Sequence, residues 1–178
     1  SARRVVTQVA QATDENGRDL LIQKRFPGSG RLEVLSAYSL SPAGERSEAS
    51  SLRDRVARFR NLEVGSIVVI QYVHHKAPPD FLPDEYVATW DFSGPAIQFD
   101  RSKWVLIVDK DRHLRTSTQG DVHHDEDTRN DKQIHVFSAQ GVAPMRAEPF
   151  MPPLRDVLRS VAVSTVKSWD DYVRWEMA

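Results

Sequence analysis

Alternating apolar and polar positions dominate the first forty residues and predict β-strands. Residues 3–13 are rich in Val and Thr, which favour strands. Asn16-Gly17 is the dipeptide of tight hairpin turns, so residues 18–26 are expected to form the return strand. Residues 31–40 alternate again after a Pro-Gly-Ser-Gly turn. The pattern therefore predicts a three-stranded meander, followed by a polar loop at residues 41–51.

The next stretch supports two alternatives. The β-branched run Ile67-Val68-Val69-Ile70 predicts a strand, with a short helix before it. Arginines that alternate with apolar positions at residues 53–60 instead predict a fourth strand, followed by a helix at residues 62–74 that Asn61 would cap. Local propensity favours the first alternative.

The second half repeats the strand pattern. Strands are predicted at residues 86–92, 96–100, 104–110 and 133–139, with a turn at residues 101–103. The polar residues 111–132 are expected to be either a long hairpin tip or disordered. Residues 149–175 carry an apolar stripe at helical spacing, which predicts a helix with Pro153 in its first turn.

Composition excludes several classes of function. The chain has no cysteine, so thiolate catalysis and thiolate metal sites are excluded. The formal net charge is -1, but 18 of the 24 basic residues are arginine, whose planar fork suits phosphate. No apolar run approaches the ~20 residues of a membrane helix. We find no glycine-rich phosphate loop, no G-x-S-x-G elbow and no H-E-x-x-H spacing.

Two histidine groups are candidate metal ligands by residue type. They are His74-His75 and His123-His124-Asp125. Adjacent histidines on a strand point to opposite faces, and on a helix they lie about 100° apart. The sequence therefore predicts no metal, no other cofactor and no catalytic residue.

The order of elements carries a resemblance to a known family. If residues 53–60 are a strand and residues 62–74 a helix, each half reads as four strands and a helix. Arg58-Phe59 followed by Glu63-Val64-Gly65-Ser66, and an apolar C-terminal helix that ends at Trp169, resemble the Whirly family of single-stranded nucleic-acid-binding proteins. The arginine-rich composition and the polar insertion look more like the trypanosomatid mitochondrial RNA-binding proteins of that fold. The resemblance favours the helix at residues 62–74, against local propensity.

The resemblance implies a fold and a function. The expected fold is α+β and Whirly-like, with two four-stranded antiparallel sheets that are each followed by a packing helix. It would form one domain over residues 1–178, with repeats at about 1–76 and 84–175. The protein would bind single-stranded guide RNA and promote its annealing to mRNA in the mitochondrial matrix. It would act beside a related Whirly-fold subunit in a hetero-oligomer, a tetramer in that family, without a membrane.

The predicted RNA-binding residues are the basic side chains that would lie on the two sheets, where they could follow a phosphate backbone. They are Lys24, Arg25, Arg31, Arg55, Arg58, Arg60, Arg101, Lys103 and Lys110. Phe26, Tyr38 and Trp90 could stack on bases but are expected in the core. The alternative function is that of a structural or assembly subunit without intrinsic nucleic-acid binding, since exposed strands also carry Arg and Lys for solubility.

Overall fold

The computed structural model describes residues 2–76, 85–94, 97–145, 150–153 and 156–167. The chain divides into two compact units, Ser1–Pro78 and Pro79–Ala178. Each unit is described by itself.

The first unit contains seven strands and one helix among its described residues. They are, in chain order, β1 (Ala2–Gln11), α1 (Glu15–Leu21), β2 (Gln23–Arg25), β3 (Arg31–Leu40), β4 (Arg46–Glu48), β5 (Ser51–Arg53), β6 (Val56–Arg58) and β7 (Ile67–Lys76). One antiparallel sheet has the order β1-β7-β3-β4, and a smaller one has the order β2-β6-β5.

The core of the first unit lies between these elements. The inward residues Val68, Ile70 and Tyr72 of β7 are all buried. They cluster with Leu21 of α1 and with side chains of the smaller sheet's connections, among them Phe26, whose ring meets Tyr72 edge-on at 5.2 Å. The helix and the small sheet therefore cover the inner face of the large sheet.

The prediction of a hairpin at Asn16-Gly17 was wrong, because the chain forms α1 there. Asp14 is the N-cap residue, and its carboxylate accepts a hydrogen bond from the Gly17 backbone N–H at 2.6 Å. A capping aspartate satisfies one of the unpaired N–H groups that begin every helix. The cap overrides the hairpin preference of the Asn-Gly pair.

Residues 53–60 do not form one strand. Asp54 and Arg55 have φ values of 51° and 58° and make a two-residue turn between β5 and β6. Two consecutive residues with positive φ are typical of the type I′ hairpin turn. The helix predicted at residues 62–74 is also wrong, because β7 begins at Ile67 and pairs with both β1 and β3. The local β-propensity of Ile67–Ile70 predicted this part correctly.

The second unit is a sandwich of two three-stranded antiparallel sheets. Its strands are β8 (Val87–Asp91), β9 (Phe99–Asp109), β10 (Arg115–Gln119), β11 (His123–Arg129), β12 (Lys132–Val142) and β13 (Ser160–Ser164). The sheet orders are β10-β13-β8 and β11-β12-β9. Trp104, Phe137, Val161 and Val163 belong to one buried cluster that joins the two sheets.

Several predictions for the second half need correction. Of the two alternatives for the polar insertion, disorder is wrong and the hairpin is confirmed in part: the segment forms β10 and the tip of the β11–β12 hairpin, whose turn residues Asn130 and Asp131 both have positive φ. Residues 101–103 are not a turn, since β9 runs straight through them. The C-terminal helix is wrong at Ser160–Ser164, which pair with β8 and β10. Of the rest of that predicted helix, residue 149, residues 154–155 and residues 168–175, which include Trp169, lie outside the described residues.

The predicted fold class is therefore wrong. The described residues form four antiparallel sheets and a single α-helix of seven residues. They do not form two four-stranded sheets that are each followed by a packing helix. Both predicted packing helices contain β-branched runs that pair as strands instead.

Candidate functional site

The nine predicted RNA-binding residues are distributed over both units. Lys24 and Arg25 lie on β2, Arg31 begins β3, Arg55 is in the β5–β6 turn, Arg58 ends β6, Arg60 follows it, Arg101 and Lys103 lie on β9, and Lys110 follows β9. Register places Arg25, Arg53 and Arg58 on one face of the β2-β6-β5 sheet, whereas Lys24 lies on the other face. Arg101 and Lys103 share the exposed face of β9.

One of these nine residues has a role inside the fold, and another is half-buried. The Arg55 guanidinium donates hydrogen bonds to the backbone carbonyls of Pro27, at 2.6 Å, and of Gly30. It therefore ties the Pro27–Gly30 turn to the β5–β6 hairpin. Lys24 is half-buried, and burial lowers the pKa of its ammonium. Neither side chain is presented freely to a phosphate backbone.

The aromatic side chains follow the expectation in two of three cases. Phe26 is a buried core residue of the first unit. Trp90 packs against the core of the second unit and stacks on Trp104 with ring centroids 6.4 Å apart. Tyr38 lies on the outer face of β3, where the Arg46 guanidinium covers its ring at 3.8 Å.

His74 of the first histidine group has a structural partner. Its Nε2 lies 2.6 Å from the Ser29 carbonyl oxygen, so Nε2–H donates to that oxygen. The side chain is buried. The bond holds the end of the Pro27–Gly30 turn against β7. The Nε2 atom of His74 is therefore already engaged in a hydrogen bond.

One residue of the second histidine group, His124, belongs to a cluster with Glu126 and His135 that was not predicted from the sequence. In the β11–β12 hairpin, Glu126 lies opposite His135, and His124 lies opposite Phe137. His124 Nε2 is 3.2 Å from His135 Nδ1, and Glu126 Oε2 is 3.8 Å from the same Nδ1. One ligand atom from each of the three residues lies within 4.8 Å of the other two. Nitrogen and carboxylate donors at such distances could hold a metal ion.

The surroundings fix the orientation of both histidines and lower the pKa of one of them. Burial lowers the pKa of His135, an effect that the nearby Glu126 opposes and His124 adds to, and the ring is 4% exposed. Its Nε2 lies 3.3 Å from Gln133 Oε1. The His124 ring stacks on Phe137 with centroids 4.2 Å apart. Both imidazoles are therefore held in place, and His135 is neutral near pH 7.

A signal for this cluster was present in the sequence. An Asn130-Asp131 turn pairs residue 126 with residue 135, because the residue numbers in a hairpin register have a constant sum. His124 and Glu126 are two apart on a strand and therefore share a face. The prediction for residues 111–132, a long hairpin tip or disorder, specified no register and so did not pair these residues.

The centre of the outer face of the β11-β12-β9 sheet is apolar and partly exposed. Val105 lies opposite Val136 and Ile107 opposite Ile134, which makes two adjacent apolar rows. Val105 is 44% exposed and Ile107 59% exposed. We call these four residues the apolar patch. Asp125 and Asp127 flank it on β11.

The fold places this chain in the class of β-rich, antiparallel proteins, and comparison with known proteins adds a family. The sequence model described as "Domain of Unknown Function with solved-structure structure (DUF3857)" matches residues 36–146. The match covers more than half of the chain, so the chain belongs to the DUF3857 family. No curated protein matches.

A solved structure shares the fold. It is the crystal structure of a "putative protease" from Parabacteroides distasonis ATCC 8503, with a TM-score of 0.66 and 14% sequence identity. The match covers 94% of this chain and 34% of that chain. This chain therefore spans about a third of the length of its structural neighbour, and the likeness concerns the fold alone.

These matches overturn the resemblance to the Whirly family. The classification as a Whirly-type, mitochondrial RNA-binding protein was wrong, because the family match and the structural neighbour both point elsewhere. Guide-RNA annealing, a matrix location and a related subunit in a tetramer followed from that resemblance and have lost their support. No comparison tests them directly. Among the described residues, no helix is long and apolar enough to cross a membrane.

Proposed function

We propose that this chain is a non-catalytic assembly module that joins a second copy of itself through the apolar patch. The observation that carries this proposal is the exposure of two adjacent apolar rows on the β11-β12-β9 sheet. Burying apolar surface stabilises an association by about 25 cal/mol per Å². Val105 and Ile107 supply such surface on β9, and Val136 and Ile134 continue it on β12.

The first unit has exposed apolar residues too, but they are not contiguous. Val5 and Val9 of β1 are separated by Thr7, whose hydroxyl accepts a hydrogen bond from Gln71 at 3.2 Å. Tyr38 lies two strands away from Val9, across Val69 of β7, and its ring is covered by Arg46. The apolar patch of the second unit has no polar row between its two apolar rows. This continuity favours it as the association surface.

Charge around the patch favours a second copy as the partner. Asp125 and Asp127 lie on the β11 side, whereas Arg101 and Lys103 lie on the β9 side towards one end. A two-fold axis that lies in the plane of the face and runs parallel to the strands turns the β11 side of one copy over the β9 side of the other, which brings Asp125 to the level of Val105, two residues from Lys103. Carboxylates then approach basic side chains at both rims, around an apolar centre.

The size of the surface predicts a weak dimer. Strands of 11, 11 and 7 residues, spaced about 4.8 Å apart and rising about 3.4 Å per residue, present about 500 Å² per copy. A stable interface buries about 800 Å² per partner. We therefore expect reversible association in the micromolar range or weaker.

The proposed role is non-catalytic because the described side chains do not assemble a nucleophile. The chain has no cysteine. In the part of the chain that the structure describes, no hydrogen bond joins a serine or threonine hydroxyl to a histidine ring, and those hydroxyls that are bonded have other partners. The name protease is that of the structural neighbour, a chain about three times as long, and the match to this chain covers only 34% of it.

The test is sedimentation velocity over a concentration series from tens to hundreds of micromolar. We expect the wild-type chain to shift from monomer to dimer and Ile107→Asp to remain monomeric, because the aspartate places a charge at the centre of the interface. The matched control is Leu52→Asp, which changes a residue that is 53% exposed on β5 of the first unit. The control should dimerise like the wild type.

Charge reversal tests the choice of partner. Lys103→Asp and Asp125→Lys should each weaken the dimer, and the double variant should restore it, since the opposite charges then face each other again. A wild-type chain that stays monomeric at every concentration would overturn the proposal. Equal effects of Ile107→Asp and Leu52→Asp would do the same.

A further inference from the structure

We propose that the second unit binds a divalent transition-metal ion, zinc before others, through His124, Glu126 and His135. The donors are His124 Nε2, His135 Nδ1 and Glu126 Oε2. These side chains lie on the opposite sheet face from the apolar patch, because strand residues alternate between faces. The inference is therefore independent of the assembly function.

The backbone register positions all three donors before any ion arrives. His124 and Glu126 occupy alternate positions of β11, and His135 lies directly opposite Glu126 on β12. The two strands are joined by the Asn130-Asp131 turn, which fixes their pairing. Ligands on paired strands are held more rigidly than ligands on a loop.

The donor distances match those of a zinc ion. Zinc is four-coordinate in most protein sites, with Zn–N bonds of about 2.0–2.1 Å, so two tetrahedral nitrogen ligands lie about 3.3 Å apart. The observed separation between His124 Nε2 and His135 Nδ1 is 3.2 Å. The 3.8 Å between Glu126 Oε2 and His135 Nδ1 is wider than the ideal edge. Since the Glu126 side chain is 57% exposed, rotation about its own bonds can close that gap.

The hydrogen bond at the far side of His135 prepares it as a ligand. Gln133 Oε1 can only accept, so the hydrogen of the neutral ring is placed on His135 Nε2. The lone pair is then on Nδ1, which faces His124 and Glu126. Metal-bound histidines in proteins almost always have such a partner on the other ring nitrogen.

A metal-free explanation exists for the same contact. His124 Nε2–H can donate to His135 Nδ1, and the two rings stack with centroids 5.4 Å apart in a series that includes Phe137. That explanation gives Glu126 no role, although its carboxylate lies opposite His135 and near Nδ1. The two explanations differ in whether a metal stabilises the unit.

The donor set also predicts which metals bind. Two imidazoles and a carboxylate suit zinc, copper and nickel, whereas magnesium and calcium prefer oxygen ligands throughout. Three protein ligands leave a fourth position open, on the side where Glu126 is exposed.

The experiment uses untagged protein that has been dialysed against a chelator, because a histidine tag would itself bind metal. Calorimetric titration with zinc chloride should show one ion per chain, and zinc should raise the midpoint of thermal unfolding. Cobalt should produce the visible absorption bands of a four-coordinate site. Magnesium should do neither.

Variants decide between the two explanations. His124→Ala and Glu126→Gln should each weaken zinc binding at least about tenfold, since even residues that only orient a ligand contribute that much. His123→Ala is the matched control: it is the adjacent histidine, it lies on the opposite face beside Asp125, and its loss should leave the affinity unchanged. Near-ultraviolet circular dichroism confirms that each variant is folded.

Two results would overturn the inference. One is the absence of saturable binding of one zinc ion by the wild-type chain. The other is an equal loss of affinity in His123→Ala and His124→Ala, which would indicate diffuse binding to exposed imidazoles. Binding that survives Glu126→Gln undiminished would remove the carboxylate from the site and leave the hydrogen-bonded histidine pair.

Discussion

The two units of this chain make contrasting use of their polar side chains. In the first unit, Arg55 bonds to backbone carbonyls of a turn, and Arg46 covers an aromatic ring on the outer sheet face. In the second unit, Val105 and Ile107 remain exposed on the outer face, while two histidines meet on the inner side of the same sheet. The first unit uses Arg46 and Arg55 inside its own fold, whereas the second unit leaves apolar side chains exposed and brings two histidines together.

This difference teaches how a dense group of arginines should be interpreted. Three arginines within Arg55–Arg60 look like a phosphate-binding surface in the sequence. In the fold, Arg55 is an internal bonding partner, while Arg58 ends a strand and Arg60 lies beyond it. A guanidinium that satisfies backbone carbonyls contributes stability whether or not any ligand exists.

Among the substitutions that test this contrast between the two units, the largest loss of stability is expected at Phe137. Its ring is fully buried, stacks on Trp104 at 5.7 Å and supports His124. Phe137→Ala should lower the free energy of unfolding by about 3–5 kcal/mol, because it removes apolar contacts and leaves a cavity. Urea denaturation with hydrogen exchange measures both the loss and its location, which should be β9 and β12.

The control for that prediction is the exposed Phe150. Its side chain is fully accessible, so Phe150→Ala should change stability by less than about 0.5 kcal/mol. Similar stabilities of Phe137→Ala and the wild type would contradict the sandwich core described for the second unit.

A smaller effect is expected at Arg55 in the first unit. Arg55→Ala removes two charge-assisted hydrogen bonds to the Pro27–Gly30 turn and should cost about 1.5–3 kcal/mol. Arg58→Ala is the matched control, because Arg58 is exposed and should contribute less than about 0.5 kcal/mol. Thermal and urea unfolding of both variants provide the measurement. If Arg55→Ala proved as stable as Arg58→Ala, Arg55 would not stabilise the first unit, and the contrast drawn between the two units would be wrong.

The strands were the part of the fold that sequence patterns predicted best. Residues 31–40 alternate and form β3 with the expected bounds, and the β-branched run from Ile67 is a strand as its propensity indicates. The turns were harder, because Asp54-Arg55 forms a hairpin turn without the glycine that usually marks one. The resemblance then replaced a correct local prediction with a wrong helix.

The candidate site depends on pairing across strands, which single-strand patterns do not contain. His124 and His135 are eleven residues apart, and only the Asn130-Asp131 turn relates them. Likewise, apolar positions such as Val105 were recognised in the sequence, but their exposure depends on whether a second sheet covers that face. Burial is a property of the assembled layers and not of one strand.

The smallest effect concerns Lys24, a predicted RNA-binding residue of the first unit. Burial lowers the pKa of its ammonium below the ordinary value of 10.5. Between the lowered pKa and 10.5, the unfolded chain binds more protons than the native one, so stability rises with pH in that window. Below the window, the half-buried charge disfavours the native state.

Lys24→Met should therefore stabilise the chain at pH 7, by less than about 1 kcal/mol because the group is partly solvated. That gain should shrink as the pH approaches 10.5, and urea unfolding at both pH values measures it. Arg25→Met, at the exposed neighbouring position, is the control and should show no such pH dependence. A Lys24→Met variant less stable than the wild type at pH 7 would mean that the ammonium contributes favourably there, and the first unit would then hold a basic group poised for a ligand.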